Sequence, residues 1–242
     1  MSIRNPFLKV EMRHRQGPIE LDVMFSLTEP WTVLFGPSGS GKTTILRAIM
    51  GFVRPDQATI LLRERPIVNT TAHLLVPAHL RDIRYAGQTA RLFPGISVRD
   101  NVRYGVRSQQ AEATLVEELL ELFRITRLAE KQPQALSGGE RQRVSVARAI
   151  ASVVRGGGTL LLLDEPFAGL DLALRDALAI DLQAWLLDRN LPVLSVTHDI
   201  GEAFLLRADV LRLEDGRITG QGSVEKVLAP ERERLLVQLR GQ

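Results

Sequence analysis

Apolar and polar residues alternate from Leu8 to Met12 and again from Ile19 to Leu27, with Gly17-Pro18 between the two runs. A period of two predicts half-buried strands, and the Gly-Pro break predicts a hairpin. Trp31 to Phe35 is apolar almost throughout, as a buried strand would be. The period then changes. Ile45, Ala48, Ile49 and Phe52 recur at helical spacing after Lys42, and Gly51 and Pro55 supply the stop. Ala58 to Leu62 and Ile83 to Ala86 read as further strands, and Asn69 to Arg81 reads as loop.

From Thr89 to Arg155 the pattern is helical. Ser97 and Asp100 are spaced to cap a helix, and Leu115, Val116, Leu119, Leu120 and Phe123 make one apolar stripe. Strand character returns at Thr159 to Leu163, a continuous apolar run. A helix over Leu172–Leu187, a strand over Val193–Val196, a short helix over Gly201–Leu206 and a hairpin over Val210–Leu213 and Arg217–Thr219 follow, the hairpin turning at Asp215-Gly216. The expected fold is therefore α/β, with a mainly parallel sheet, an antiparallel N-terminal part and a helical subdomain of about residues 89–155 inserted between core segments 1–88 and 156–242. In such a sheet ligands bind at the carboxyl ends of the strands.

Composition narrows the class. The 242 residues are 45% apolar, enough for a substantial core, and the formal charge is only +3. Arginine carries most of the positive charge, and acidic residues are interspersed with it. Most arginines therefore read as solvated faces, and no nucleic-acid stripe is visible. There is no cysteine, which excludes disulfides and thiolate metal sites. No apolar run approaches the roughly 20 residues that a bilayer span requires, so work at a membrane would need other chains to span it.

The stretch GPSGSGKTT places Gly36, Pro37, Ser38, Gly39, Ser40, Gly41, Lys42, Thr43 and Thr44 between a strand and a helix start. Glycines there allow positive φ and turn several backbone N–H groups toward one anion at a helix N-terminus. In this G-x-x-x-x-G-K-T spacing Lys42 reaches the β- and γ-phosphates and the Thr43 hydroxyl binds Mg²⁺. A plain Gly/Ser turn before a helix needs neither the lysine nor the threonines. At the end of the next buried strand Asp164 can hold Mg²⁺, through water, and Glu165 can polarise an attacking water. An acidic pair after a strand also serves as a helix cap. Gln88 and His198 each follow an expected strand. An amide there can bridge Mg²⁺ and water, and an imidazole can bond a γ-phosphate, although a lone histidine is more often structural.

Leu136-Ser137-Gly138-Gly139-Glu140, followed by Arg141-Gln142-Arg143, opens another helix, with Val144, Ala147, Ala151 and Val154 as its expected buried stripe. Ser137 and Glu140 have capping-box spacing, but capping does not explain the paired glycines and the basic run. The segment resembles the signature sequence of the ATP-binding-cassette ATPases. The resemblance covers nearly the whole chain in the family's order: Walker A (Gly36 to Thr44), Q-loop (Gln88), signature (Leu136 to Glu140), Walker B (Leu160 to Glu165), D-loop (Ala168 to Asp171) and H-loop (His198). Arg91-Leu92-Phe93-Pro94 and Asn101-Val102-Arg103-Tyr104-Gly105 look most like the ATPase subunit of molybdate importers.

The resemblance implies a P-loop, RecA-like core and an ATPase using ATP and Mg²⁺. Thr43, Gln88 and Asp164 would hold the metal, and Glu165, Gln88 and His198 would carry out hydrolysis. It implies a head-to-tail dimer in which Ser137, Gly138, Gly139 and the D-loop Asp171 of one copy close over ATP held by Lys42 of the other. The other partners implied are integral-membrane permease subunits, received after Gln88, and indirectly a solute-binding protein. The place implied is the cytoplasmic face of the inner membrane, peripherally; nucleic acid is not expected. Three departures stand out: the family's adenine-stacking aromatic falls near His14, Gly87 stands before Gln88 where an aromatic is common and is expected to loosen that loop, and no C-terminal regulatory domain is expected before Gln242. Molybdate or tungstate is the expected cargo, with sulfate, phosphate or another solute as alternatives. A cassette acting on DNA or ribosomes is a further alternative, but the sequence has neither a long coiled-coil insertion nor a second cassette.

Overall fold

The computed structural model describes residues 5–104, 106, 112–155 and 158–239. Gly105, part of the molybdate-importer resemblance, lies outside them. In chain order the elements are β1 (Leu8–Gln16), β2 (Ile19–Leu27), β3 (Trp31–Phe35), α1 (Lys42–Met50), β4 (Gln57–Leu62), β5 (Arg65–Asn69), β6 (Leu74–Leu75), β7 (Ile83–Ala86), α2 (Val98–Arg103), α3 (Glu112–Leu122), α4 (Gly138–Arg155), β8 (Leu160–Asp164), α5 (Leu172–Leu187), β9 (Val193–Thr197), α6 (Ile200–Leu205), β10 (Asp209–Glu214), β11 (Arg217–Ser223), α7 (Val224–Val227) and α8 (Ala229–Leu239). They form two compact units, residues 1–81 with 194–242, and residues 82–193.

In the first unit the strands run in the order β6-β5-β4-β1-β2-β11-β10-β3-β9. The N-terminal part is antiparallel: β1 pairs β2 from Leu8↔Leu27 to Gln16↔Ile19 and pairs β4 on its other side. β10 pairs β3 in parallel. The alternation seen in the sequence is the burial pattern, because Leu8, Val10 and Met12 face the core while Lys9, Glu11 and Arg13 face out. β3 is buried at every residue, and α1 buries Ile45, Leu46, Ala48, Ile49 and Met50. Each fully buried valine, leucine or isoleucine among them contributes about 1.5–3 kcal/mol relative to exposure.

The second unit holds β7 and β8, paired in parallel, with α2, α3, α4 and α5. No strand occurs among the described residues between 89 and 155. The stripe expected on α3 is buried, with Leu119 and Leu120 both at 0% exposure, and Asp100 N donates to Ser97 Oγ at 3.1 Å to cap α2.

Several expectations fail locally. Phe52 lies beyond α1 and is 60% exposed, because Gly51 turns the chain out of the helix in a left-handed conformation. On α4, Val153 is buried and Val154 only half-buried, and the helix is covered around most of its girth from Gln142 to Ala147. The stretch from Asn69 to Arg81 contains β6, and β5 precedes it; these short segments are held by pairing with β4 and with each other, not by alternation. Arg81 and Arg143 are core residues, not solvated ones. Arg81 donates to the carbonyls of Ala48 and Ile49 at the end of α1, at 2.8 Å each, and burial holds its pKa below the usual arginine value.

Candidate nucleotide and hydrolysis site

In the first unit β3 delivers the chain into the Gly36–Thr44 loop and α1 carries it away. Gly41 is the N-cap of α1 at φ 102°, and a Cβ there would stand 2.6 Å from Leu21 Cδ2, so only glycine fits. Lys42 is 6% exposed, and its Nζ donates to the carbonyls of Gly36 and Pro37, at 2.8 Å each. The ammonium thus bridges the mouth of its own loop, at the N-terminal end of a helix whose dipole favours an anion. Ser40 N donates to Pro37 O at 3.2 Å within the loop. A cavity of about 400 Å³ opens beside it, lined by Pro37, Ser38, Gly39 and Ser40 and by Ile19 and Asp215.

Thr44 Oγ1 donates to Gln16 Oε1 at 2.8 Å, which ties the tip of the β1–β2 hairpin to the loop; nothing in the sequence pattern singles out Gln16. His14 is not a free stacking platform. Its ring is mostly buried and its Nδ1 lies 3.2 Å from Asp56 Oδ2. His198 follows β9, the neighbour of β3, and is exposed. Its turn is braced by Asp199, whose carboxylate accepts from Glu202 N at 3.0 Å, and by Thr197 Oγ1, which donates to Glu202 Oε2 at 3.0 Å.

In the second unit β8 ends at Asp164, which is 2% exposed, and Glu165 takes a left-handed φ of 51° that turns its side chain off the strand line. Gln88 Nε2 donates to Glu165 Oε2 at 3.2 Å, so the structure brings these two predicted residues together. Tyr85 Oη donates to Asp164 Oδ2 at 3.1 Å. Gln142 is 4% exposed, and its Nε2 donates to Gly87 O at 3.2 Å and Glu165 O at 3.4 Å. The turn before Gln88 is therefore clipped to α4, contrary to the loosening expected from Gly87. Tyr85 and Gln142 carry no role in the sequence reading, since their reach depends on the partner element that folding sets beside them.

The capping box of α4 is formed. Ser137 N donates to Glu140 Oε2 at 2.8 Å and Glu140 N to Ser137 Oγ at 3.3 Å. The Ser137 amide holds the Glu140 carboxyl below its ordinary pKa. A Cβ on Gly139 would stand 2.9 Å from Leu170 Cδ2 and 3.1 Å from Gly169 O, so the D-loop covers this glycine, whereas Gly138 faces open space. Asp171 caps α5, accepting from Leu174 N at 3.0 Å. Gln88, Ser137, Gly138, Gly139 and Gly169 all border one cavity of about 600 Å³.

Thr43 in the first unit offers a hydroxyl, and in the second unit Gln88 offers an amide oxygen and Asp164 a buried carboxylate; each is a hard oxygen donor of the kind that suits Mg²⁺.

A model described as "ABC transporter" matches residues 22–168. The chain is 37% identical to the molybdenum import ATP-binding protein ModC of Rhizobium johnstonii over 92% of its own length and 62% of that protein's. It is 36% identical to the molybdate/tungstate import ATP-binding protein WtpC of Archaeoglobus fulgidus, over 92% of its own length and 90% of that protein's. It thus spans about three-fifths of the ModC relative and nearly all of the WtpC one. Among solved structures it superposes on cbiO1 from Clostridium perfringens, part of the cbiONQ ABC transporter complex. The TM-score is 0.77 and the identity 25%, with 98% of this chain and 96% of that one covered. The dimeric post-hydrolysis cassette MJ0796 bound to ADP and Pi shares the fold at a TM-score of 0.73 and 24% identity, with 90% and 98% covered. Motif order, cassette fold and family match converge: this chain belongs to the ABC transporter family.

Proposed function

We propose that the chain is the ATP-hydrolysing subunit of an importer, with molybdate or tungstate as cargo. The observation that carries hydrolysis, beyond nucleotide binding, is the Gln88–Glu165 contact beside a buried Asp164. The cargo reading is supported by the ModC and WtpC relatives, whose names specify molybdenum and molybdate or tungstate import. Sulfate, phosphate or another solute is the second reading, since nothing in a nucleotide-binding subunit touches the cargo.

The loop at Gly36–Thr44 binds the phosphates through backbone N–H groups, and Lys42 exchanges its two carbonyl partners for phosphate oxygens. Glu165 accepts the hydrogen bond of the attacking water and polarises it, with Gln88 orienting that carboxylate. His198 bonds the γ-phosphate. Thr43, Asp164 and Gln88 would hold Mg²⁺, which would supply positive charge to offset that of the phosphates. In the proposed head-to-tail dimer Ser137, Gly138 and Gly139 of a second copy offer a further helix N-terminus to the γ-phosphate, with Asp171 holding the start of α5 next to that surface.

Closure would then depend on ATP and opening on hydrolysis, which is how the subunit would drive permease partners, and indirectly a solute-binding protein, from the cytoplasmic face of the membrane. Among the described residues no helix is long and apolar enough to cross a bilayer. Residues of about 89–155 would act as the helical subdomain, with Thr89 to Pro94 receiving the coupling helix of the permease. Reconstituting the chain with its permease in lipid and measuring ATPase with molybdate-loaded, sulfate-loaded and empty binding protein tests the proposal. Stimulation by the molybdate-loaded protein alone supports the cargo; equal stimulation by the sulfate-loaded protein removes it. Failure of Mg²⁺ and ATP to bring copies of a Glu165→Gln variant together, with the permease present, sinks the dimer mechanism.

A further inference from the structure

Parallel pairing sets Tyr85 opposite Leu162 and Ala86 opposite Leu163. Side chains alternate between faces, so residues 85 and 87 share one face of the sheet and residues 162 and 164 share one face. Tyr85 therefore starts a full two-residue step short of Asp164 and reaches it only by leaning forward along the strand, over residue 87. The structure shows this lean. A Cβ on Gly87 would stand 2.8 Å from Tyr85 Oη and 2.9 Å from Cε1, closer than real contacts come, and 3.0 Å from Cζ. The phenol occupies the space that a side chain at 87 would use, and its hydroxyl donates to Asp164 Oδ2 at 3.1 Å. The backbone at 87 is fixed as well, because its carbonyl accepts from Gln142 Nε2 at 3.2 Å.

We propose that Tyr85 is a positioning residue for Asp164, and that Gly87 is the small residue that lets it act. This rests on the reading of Asp164 as a metal-holding carboxylate. A donor on one oxygen of a buried carboxylate fixes the group's rotation and so decides which lone pairs remain presented to a ligand. Outer hydrogen bonds of this kind are worth roughly 10–100-fold in metal affinity or activity. An aromatic residue at 87 would fill the same space and exclude the phenol. Bare Cα at 87 and hydroxyl at 85 thus work as a pair.

The test compares Tyr85→Phe, Gly87→Ala, the double variant and Asp164→Asn in the full chain. Mn²⁺ affinity is read by electron paramagnetic resonance with a non-hydrolysable ATP analogue bound. Affinity for a fluorescent form of that analogue in EDTA is the control for folding and for the phosphate loop. Tyr85→Phe should weaken Mn²⁺ binding about tenfold, at the lower end of that range, and leave analogue affinity in EDTA unchanged. Gly87→Ala should give the same loss, and the double variant no further loss, because both changes remove one contact. Wild-type Mn²⁺ affinity in Tyr85→Phe, with Asp164→Asn impaired, would overturn the role of Tyr85 and leave that of Asp164 standing. Wild-type Mn²⁺ affinity in Asp164→Asn would remove the reading of Asp164 itself and this inference with it.

Discussion

The phosphate loop of the first unit and the carboxylate turn of the second are held in opposite ways. The loop is braced mostly by bonds close in sequence, with one longer tie from Thr44 to Gln16. Its shape comes from Gly41 in a left-handed conformation and from the Lys42 ammonium bonded to two carbonyls only five and six residues earlier. The turn is held by others. Asp164 and Glu165 are fixed through Tyr85 on β7, Gln88 after it, and Gln142 on α4, between 23 and 79 residues away in sequence. Bonding this local shapes a cradle that the Thr44–Gln16 bond then anchors to the β1–β2 hairpin. Long-range bonding makes a carboxylate pair that responds when another element moves. Under the proposed function, that difference would suit a phosphate-binding loop shaped in advance and a hydrolytic carboxylate that depends on its neighbours.

The largest expected effect is that of Glu165→Gln. Turnover should fall by about 10²–10⁴ while ATP binding persists, as removal of a general base does. Single-turnover hydrolysis checks this, and a wild-type rate would show that the turn is not the hydrolytic element. Lys42→Ala should instead act on binding. Losing a charge-assisted donor costs about 1.5–3 kcal/mol, or roughly 10–100-fold in nucleotide affinity by titration calorimetry. It should also raise amide exchange across Gly36–Gly41, because the tether goes with the charge. Unchanged exchange would break the claim of local bracing.

Gln142→Leu probes the opposite mode. It keeps the volume but strips the donor from Gly87 O and Glu165 O, at a cost of about 1–3 kcal/mol. Thermal unfolding should shift downward, and turnover should fall more than ATP affinity does. An equal fall in both would mean that the two regions are not separately held.

The smallest effect is electrostatic. Glu140 has a depressed folded pKa, so its contribution to stability is present above the ordinary carboxylate pKa and is lost as pH falls through the depressed one. Urea unfolding at neutral and acid pH should show that Glu140→Gln removes a slight acid-side loss. Because Glu140 is only half-buried, solvent screening keeps this small.

Much of this was legible in the residues. Strand pairing of Leu8–Leu27, the helix after Lys42 and the stripe on α3 follow from alternation and helical spacing, because burial on one face imposes a period that the sequence must carry. β5 and β6 were not legible, since strands this short are defined by a partner's hydrogen bonds. Nor was the burial of Arg81 and Arg143. Composition treats a guanidinium as a surface group, but each finds helix-end carbonyls inside the fold, Arg81 at α1 and Arg143 at Phe123 beyond α3.

The sequence by itself determined the phosphate loop, the capping box at Ser137 and Glu140, and the order of the motifs. The loop and the capping box act chiefly between residues a few positions apart, so spacing along the chain carries most of their geometry, and motif order is itself a property of the chain. Only the tertiary structure decided that Tyr85 reaches Asp164 across the space left by Gly87, and that Gln142 clips the carbonyls of residues 87 and 165. Those contacts join residues far apart in the chain, and a hydrogen bond forms where folding brings a donor within about 3 Å of an acceptor, a distance that no linear spacing specifies.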